Sequence, residues 1–262
     1  MVAATLTSLA IALAIALVAR RARALSRDGA VAATIVGTLA LLAGWEWGML
    51  LILYFASSSA LSRFGVNEKT ARTKSVIEKG GERDALQVIA NGGVFAIAAL
   101  LAIVDREHGT RWAALGIGAL AASASDTWAT EIGTLVGGTP RSILGFAPVP
   151  IGMSGGVTLA GSIAAAAGAA FVALLGLALG WPARVAFAVC VGGIAGSMLD
   201  SLLGATVQLR RHCDQCDCAT ERALHDCGAP TRRSRGVAWL GNDAVNLICG
   251  AAGGLLALAM TG

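Results

Sequence analysis

The chain has 262 residues, 56% of them hydrophobic and only 14% charged, with a formal net charge of +4. A water-soluble domain of this length needs far more charge to cover its surface, so the balance excludes one and predicts an integral membrane protein. The small basic excess suits anionic lipid at one membrane face and calls for no nucleic-acid partner.

Residues 2–19 are an apolar run near the length needed to span hydrocarbon. No basic residue precedes the run, and Arg20, Arg21 and Arg23 follow it. A cleaved signal peptide carries its charge first, so this is read as a retained first span. Residues 30–61 are too long for one straight helix, with Trp45-Glu46-Trp47 at their middle. Two short spans joined by a tight turn are expected, and a single tilted or broken helix is the alternative.

The basic segment 62–85 follows, with Lys69, Lys74 and Arg83. It reads either as a solvated loop against anionic lipid or as a phosphate clamp. Arg83 favours the clamp, because it lies one and two helical turns before Gln87 and Asn91 on about the same face. The span 86–104 carries Asn91 roughly 12 Å beyond Arg83, at about 1.5 Å per residue.

A shorter span, 112–127, ends in Asp126 after the small-residue run Ala121–Ser125, and Glu131 lies just beyond. In the next segment, 126–156, Arg141 is the only basic residue. Its prolines set an extended approach to Ser154-Gly155-Gly156, which opens the following span. Glycine N–H groups and a helix N-terminus suit an anion there, and a simple helix cap is the alternative.

Spans at 157–179, 185–207 and 237–260 complete the count. Gly176/Gly180, Gly192/Gly196 and Gly250/Gly254 have the four-residue spacing of close helix packing. Asp200 lies ten residues before Arg210 and Asp243 eight after Arg235, which puts both roughly 12–15 Å below those charges. Asn242 and Asn246 share a helical face beside Asp243. Between the last two spans, Cys213-x-x-Cys216 precedes His225-x-Cys227. That spacing fits a tetrahedral Zn²⁺ site, with a free-thiol or redox loop as the alternative and disulfides disfavoured on a reducing side. Cys190 and Cys249 read as packing residues, and His108 is given no role.

Eight spans place the segments 20–29, 62–85, 126–156 and 208–235 on one side, with four, six, one and six Lys or Arg; Arg106, Arg111 and Arg184 fall on the other. The positive-inside rule makes the first set cytoplasmic, in a prokaryotic plasma (inner) membrane, with both termini outside. The fold expected is therefore an all-α polytopic bundle forming a single membrane-embedded domain over 1–262. It has about eight transmembrane helices, or seven if 30–61 is one span, and cytoplasmic loops at 62–85, 126–156 and 208–235. All six tryptophans lie near span ends, as an aromatic belt would.

Asp126, Glu131, Asp200 and Asp243 thus fall in one layer under the cytoplasmic surface. Burying them together without a cation is prohibitive, and an oxygen-rich cluster suits Mg²⁺. No G-x-x-x-x-G-K-[ST] occurs, which excludes a Walker-type nucleotide site. An ion-coupled transporter also buries carboxylates, but between inverted repeats near the midplane; here the layer is skewed to one side and any repeat is faint.

The runs GGERDALQVIANGG (80–93), SASDTWATEIG (123–133), PRSI…VPIGMSGGVT (140–158), GSMLDSLLGATVQ (196–208) and WLGNDAVN (239–246), with the Cys/His loop, carry a resemblance. From about residue 29 onward the chain resembles the membrane family known as domain of unknown function 92. That family includes the plant phytyl-phosphate kinase of tocopherol synthesis and the animal transmembrane protein 19. The resemblance implies a kinase that converts an isoprenyl monophosphate (phytyl, geranylgeranyl or farnesyl type) to its diphosphate. The related phytol and dolichol kinases imply CTP as the nucleoside triphosphate. Under it, Asp126, Asp200, Asp243 and Arg83 form the catalytic group, and Asp126, Glu131, Asp200 and Asp243 hold Mg²⁺ directly or through water. Arg83, Lys69, Lys74 and Arg141 neutralise phosphates, and Ser154, Gly155 and Gly156 give backbone donors. Gln87, Asn91, Asn242 and Asn246 orient phosphates or metal ligands, while the prenyl tail lies between helices. A prenol kinase or cytidylyltransferase for another lipid, and a zinc-loop assembly protein, are the other readings.

Overall fold

The computed structural model describes residues 2–136 and 138–262. Among these residues the elements are α1 (Val2–Arg21), α2 (Arg27–Ala43), α3 (Trp45–Arg63), α4 (Val66–Thr73), α5 (Ala85–Val104), α6 (Gly109–Val136), α7 (Leu159–Ala178), α8 (Ala183–Thr206) and α9 (Asn242–Ala259). Five short strands lie between helices: β1 (Arg141–Ser142), β2 (Gly156–Val157), β3 (Arg210–Cys213), β4 (Cys218–Thr220) and β5 (Arg232–Arg235). The result is an all-α bundle with a small polar β cap.

Local chemistry starts the helices where the polar ends need them. The Ser26 hydroxyl caps α2 by accepting the Gly29 N–H at 3.0 Å, and the Thr158 hydroxyl caps α7 through Gly161 in the same way. Asp84 and Gln87 close a capping box on α5. The long stretch 30–61 is broken at Gly44 into α2 and α3. The two run antiparallel: the Arg63 guanidinium at the end of α3 donates to the Ala22 carbonyl just before α2. The two-helix reading of 30–61 is the one the fold adopts.

α6 is the central post, packed against α5, α7, α8 and α9. Every residue from Ala113 to Ser125 is buried. The packing is close because the facing residues are small. A Cβ added at Gly193 would sit 2.8 Å from the Ala121 Cβ, and one at Gly118 would sit 2.7 Å from the Ala257 Cβ. α1, by contrast, packs on α2 and leaves Leu6, Leu9, Ile11 and Leu13 exposed. An exposed apolar helix of this kind needs hydrocarbon as its solvent.

By length and composition α1, α5, α7, α8 and α9 are able to cross a membrane, and a sixth span results if α3 and α4, bent by 70°, are joined. α2 has 17 residues. α6 is screened by its neighbours, so its composition escapes the requirement that lipid imposes on the others. The helices nonetheless alternate between two ends. At one end Ser26 donates to the Arg83 carbonyl at 3.0 Å, Thr220 to the Ser75 carbonyl at 2.8 Å and Ser154 to Glu221 at 2.8 Å. The four basic segments therefore gather on a single face.

Two expectations need correction. α6 does not stop near 127 but continues to Val136, so Asp126 lies ten residues inside a helix and Glu131 five inside. Glu131 and Thr134 there read as loop, yet Thr134 is buried and Glu131 is half-buried against Lys69 and Ser62. The aromatic belt also fails for Trp47, which is 3% exposed and packs on Phe95 and Trp181 at 5.2 and 5.9 Å. Trp128 lies within α6 against Phe171, whereas Trp45 and Trp239 are exposed.

Candidate functional site

Toward the polar end, α5, α6, α8 and α9 enclose a small cavity of about 10 Å³, on the scale of a single water or ion. Asn91 from α5, Ser123 and Asp126 from α6, Asp200 from α8 and Asn246 and Cys249 from α9 line it. Helical periodicity places each set: Ser123 and Asp126, like Asn246 and Cys249, are three apart and share a face. Asp200 Oδ2 and Asn246 Oδ1 are buried with no hydrogen-bond partner. Among the described residues no ion pair reaches Asp126 or Asp200; the nearby carboxylates that have one are Glu131 and Asp243.

Unpartnered buried carboxylates are costly, and a cation is what would satisfy them. Asn91 donates through Nδ2 to the Gln87 carbonyl at 2.8 Å, which leaves its Oδ1 as an acceptor. The Ser123 hydroxyl donates to the Asn91 carbonyl at 3.2 Å. The donor set is thus two carboxylates and two amide oxygens, hard ligands of the type that suit Mg²⁺. The orphaned oxygens and this chemistry fit that ion.

Several polar residues around the cavity escaped the sequence reading. Tyr54 of α3 is 6% exposed; it lies beside Ser58 and Ser123 and feels the charges of Arg83 and Asp126. Ser58 is fully buried, and its hydroxyl has no partner. The run Ser57-Ser58-Ser59 inside an apolar helix, with Tyr54 one turn earlier, was the signal. Arg83 reaches Ser59 Oγ at 3.1 Å and lies 5.3 Å over the Phe55 ring.

A second shell of charge is already neutralised. Glu131 pairs with Lys69 and accepts the Ser62 hydroxyl at 2.6 Å. Lys69 also donates to the Leu61 and Ser62 carbonyls at the end of α3. Asp243, one turn before Asn246, meets Lys79 at 2.6 Å, and Lys79 also bridges to Asp84 at 2.8 Å. Burial works against the Lys79 charge, but its bonds to Asp243 and Asp84 hold the ammonium above its ordinary range.

Other expected site residues are placed elsewhere. The Gln87 side chain accepts the Asp84 N–H at 3.1 Å to cap α5, a use its D-x-x-Q spacing encodes. Arg141 donates to the Phe146 carbonyl of its own loop at 2.8 Å. Lys74 lies 3.9 Å from Asp226. Asn242 is exposed at the start of α9. Ser154, Gly155 and Gly156 do not open a helix. They form a turn running into β2, and α7 begins only at Leu159. Gly155, at φ 82°, packs against the backbone of Ala205, and the Ser154 N–H donates to Glu221. Burial pushes the Glu221 carboxyl up, against the pull of its bonds to Ser154 and of Arg210. Cys213, Cys216, His225 and Cys227 do converge, in a separate cluster within the β cap. At the opposite end of the bundle a wider cleft of about 430 Å³ is lined by Glu46, Arg106 and Glu107 among others.

Comparison with known proteins agrees with the architecture. No solved structure matches the chain. Protein PGR of Arabidopsis thaliana is 31% identical over 250 residues, covering 86% of this chain and 85% of that protein. An uncharacterized membrane protein of Methanocaldococcus jannaschii is 34% identical over 200 residues, 76% of this chain and 81% of the other. Protein VTE6, chloroplastic, of Arabidopsis thaliana is 29% identical over 242 residues, 90% of this chain but 65% of that protein. The family model described as integral membrane protein DUF92 matches residues 10–254, and the chain belongs to that integral membrane family.

Proposed function

We propose that this protein is a Mg²⁺-dependent kinase of the membrane that transfers the γ-phosphoryl group of a nucleoside triphosphate, CTP by family resemblance, to a prenyl monophosphate. The supporting observation is the cavity in which Asp126 and Asp200 come together with Asn91 and Asn246, while among the described residues no Lys or Arg pairs with either carboxylate. In this reading eight helices cross the bilayer, the basic end faces the cytoplasm of a prokaryotic cell, and the prenyl tail stays in hydrocarbon while its phosphate reaches the polar layer.

The acceptor is a phosphate whose second pKa is about 6, so a large share is already dianionic at neutral pH and needs no strong general base. One of its oxygens attacks the γ-phosphorus, the bond from that phosphorus to the β–γ bridging oxygen breaks, and the nucleoside diphosphate leaves. Positioning and charge neutralisation carry such a transfer. Asp126 and Asp200 would hold Mg²⁺, with Asn91 and Asn246 as further oxygen ligands directly or through water. When bound, that ion supplies positive charge against the transferring phosphoryl group. Lys79 and Arg83 border the layer and would meet the phosphates, while Tyr54 and Ser58 would orient Asp126.

Purified protein in lipid nanodiscs with Mg²⁺, CTP and phytyl or geranylgeranyl phosphate should give the prenyl diphosphate. Absence of product with CTP, ATP, GTP and UTP across short and long prenyl phosphates would reject the reading. Alkaline phosphatase fused after Gly262 should be active outside the cytoplasm, which checks the orientation separately.

A further inference from the structure

The tetrad in the β cap takes no part in phosphoryl transfer and stands on its own geometry. The ligand atoms of Cys213, Cys216, His225 and Cys227 all lie within 4.8 Å of one another. Cys213 Sγ and Cys227 Sγ are 3.7 Å apart, and His225 Nδ1 is 3.2 Å from Cys227 Sγ. With bonds of about 2.3 Å to sulfur and 2.0 Å to nitrogen, the edges of a zinc tetrahedron come to roughly 3.5–3.8 Å. The loops are shaped to this end. Cys213 closes β3 opposite Cys218 of β4, which leaves Cys216 in the hairpin turn, where Asp217 takes φ 48°. Gly228, at φ 85°, turns the chain directly after Cys227.

We propose that these four side chains hold one structural Zn²⁺, with His225 ligating through Nδ1. The far ring nitrogen, Nε2, then faces Cys218 Sγ at 3.5 Å. Cys218 is therefore the outer partner that fixes the imidazole, and not a ligand. Four protein ligands leave no open position, so the ion supplies cohesion and no chemistry. What it holds together is the cap. The chain from Thr220 to Arg222 lies across residues 74–78: Thr220 Oγ1 donates to the Ser75 carbonyl at 2.8 Å, Glu221 N–H to the Val76 carbonyl at 3.0 Å and Arg222 to the Lys74 carbonyl at 2.8 Å. That segment leads directly to Lys79, the residue bonded to Asp243 beside the cavity. Zinc thus anchors the strap that carries Lys79.

The test is metal content, which is read without any turnover and so stands or falls apart from the kinase reading. Full-length protein carrying a tag free of His and Cys, kept reduced, should contain one zinc per chain by mass spectrometry. Cys190→Ser should keep it; Cys213→Ser, Cys227→Ser and His225→Ala should lose it, and His225→Cys should restore it. Cys218→Ser should keep one zinc but yield it to a chromophoric chelator about 10–100-fold more readily. Cobalt in place of zinc should show the intense d–d bands of a tetrahedral thiolate site. Wild-type protein that carries no zinc and takes up none when supplied would overturn the proposal. So would a Cys213→Ser variant with its full complement, or loss of all zinc from Cys218→Ser.

Discussion

Asp126 and Glu131 lie five residues apart on one helix, yet the protein treats them in opposite ways. Glu131 is met by Lys69 and Ser62, and Asp243 by Lys79. Asp126 shares its cavity with Asp200 and with two asparagines, and no cation from the chain reaches it among the described residues. A carboxylate with a built-in partner is part of the architecture; one without a partner awaits a ligand. The layer that sequence alone presents as four equivalent acids therefore divides into an inner pair and an outer, neutralised pair.

The sharpest way to break that division is to remove the inner charges. Asp126→Asn or Asp200→Asn should lower turnover by at least about 10³-fold, while the melting temperature without Mg²⁺ holds or rises, since an uncompensated buried charge is gone. Mg²⁺ should raise the melting temperature of the wild type and not of either variant. The outer pair should behave in reverse. Lys69→Met or Glu131→Gln should cost about 2–3 kcal/mol of stability, largely restored in the double variant, with Mg²⁺ stabilisation intact. Equal effects on both pairs would erase the distinction.

At the rim, Lys79→Ala should raise KM for a phosphate substrate by about tenfold with a smaller change in kcat, as loss of uniform binding does. The smallest effect is in acid. Burial opposes the Asp84 charge, but its bond to Lys79 and the Gln87 N–H lower its pKa below 3.8 in the fold. Its contribution is therefore present above pH 3.8 and is lost as pH falls through the lower, folded value. Asp84→Ala should flatten that acid limb of the melting curve and cost about 1 kcal/mol near neutrality through the lost cap.

Much of this was legible from residue order. The break near Trp45 and the gathering of the basic segments at one end follow from span length and charge. The meeting of Asn91, Asp126, Asp200 and Asn246 follows from their depth along four helices. Other features depend on contacts that no local pattern reveals. α6 runs on past Asp126 because its polar face meets protein. Ser154–Gly156 turn into a strand because Gly155 must clear the Ala205 backbone, so a helix start was read two residues early. Gln87 was legible and misassigned: D-x-x-Q is a cap signature before it is a ligand set. The β cap, with four arginines in β3 and β5 at residues 210, 211, 232 and 233 and a fifth at 235, carries too little apolar alternation to announce itself as a sheet.

The burial of α6 on every side from Ala113 to Ser125 bears on how such a protein could change its specificity. Asp126 rides on a post whose neighbours touch it almost backbone to backbone, so a single methyl added at Gly118 or Gly193 would force the whole centre apart. Under the proposed function, variation that alters the length or branching of an accepted lipid would be confined to the loosely packed periphery, α1 and the lipid-facing sides of the outer helices. The reacting centre would pass unchanged from one lipid preference to the next.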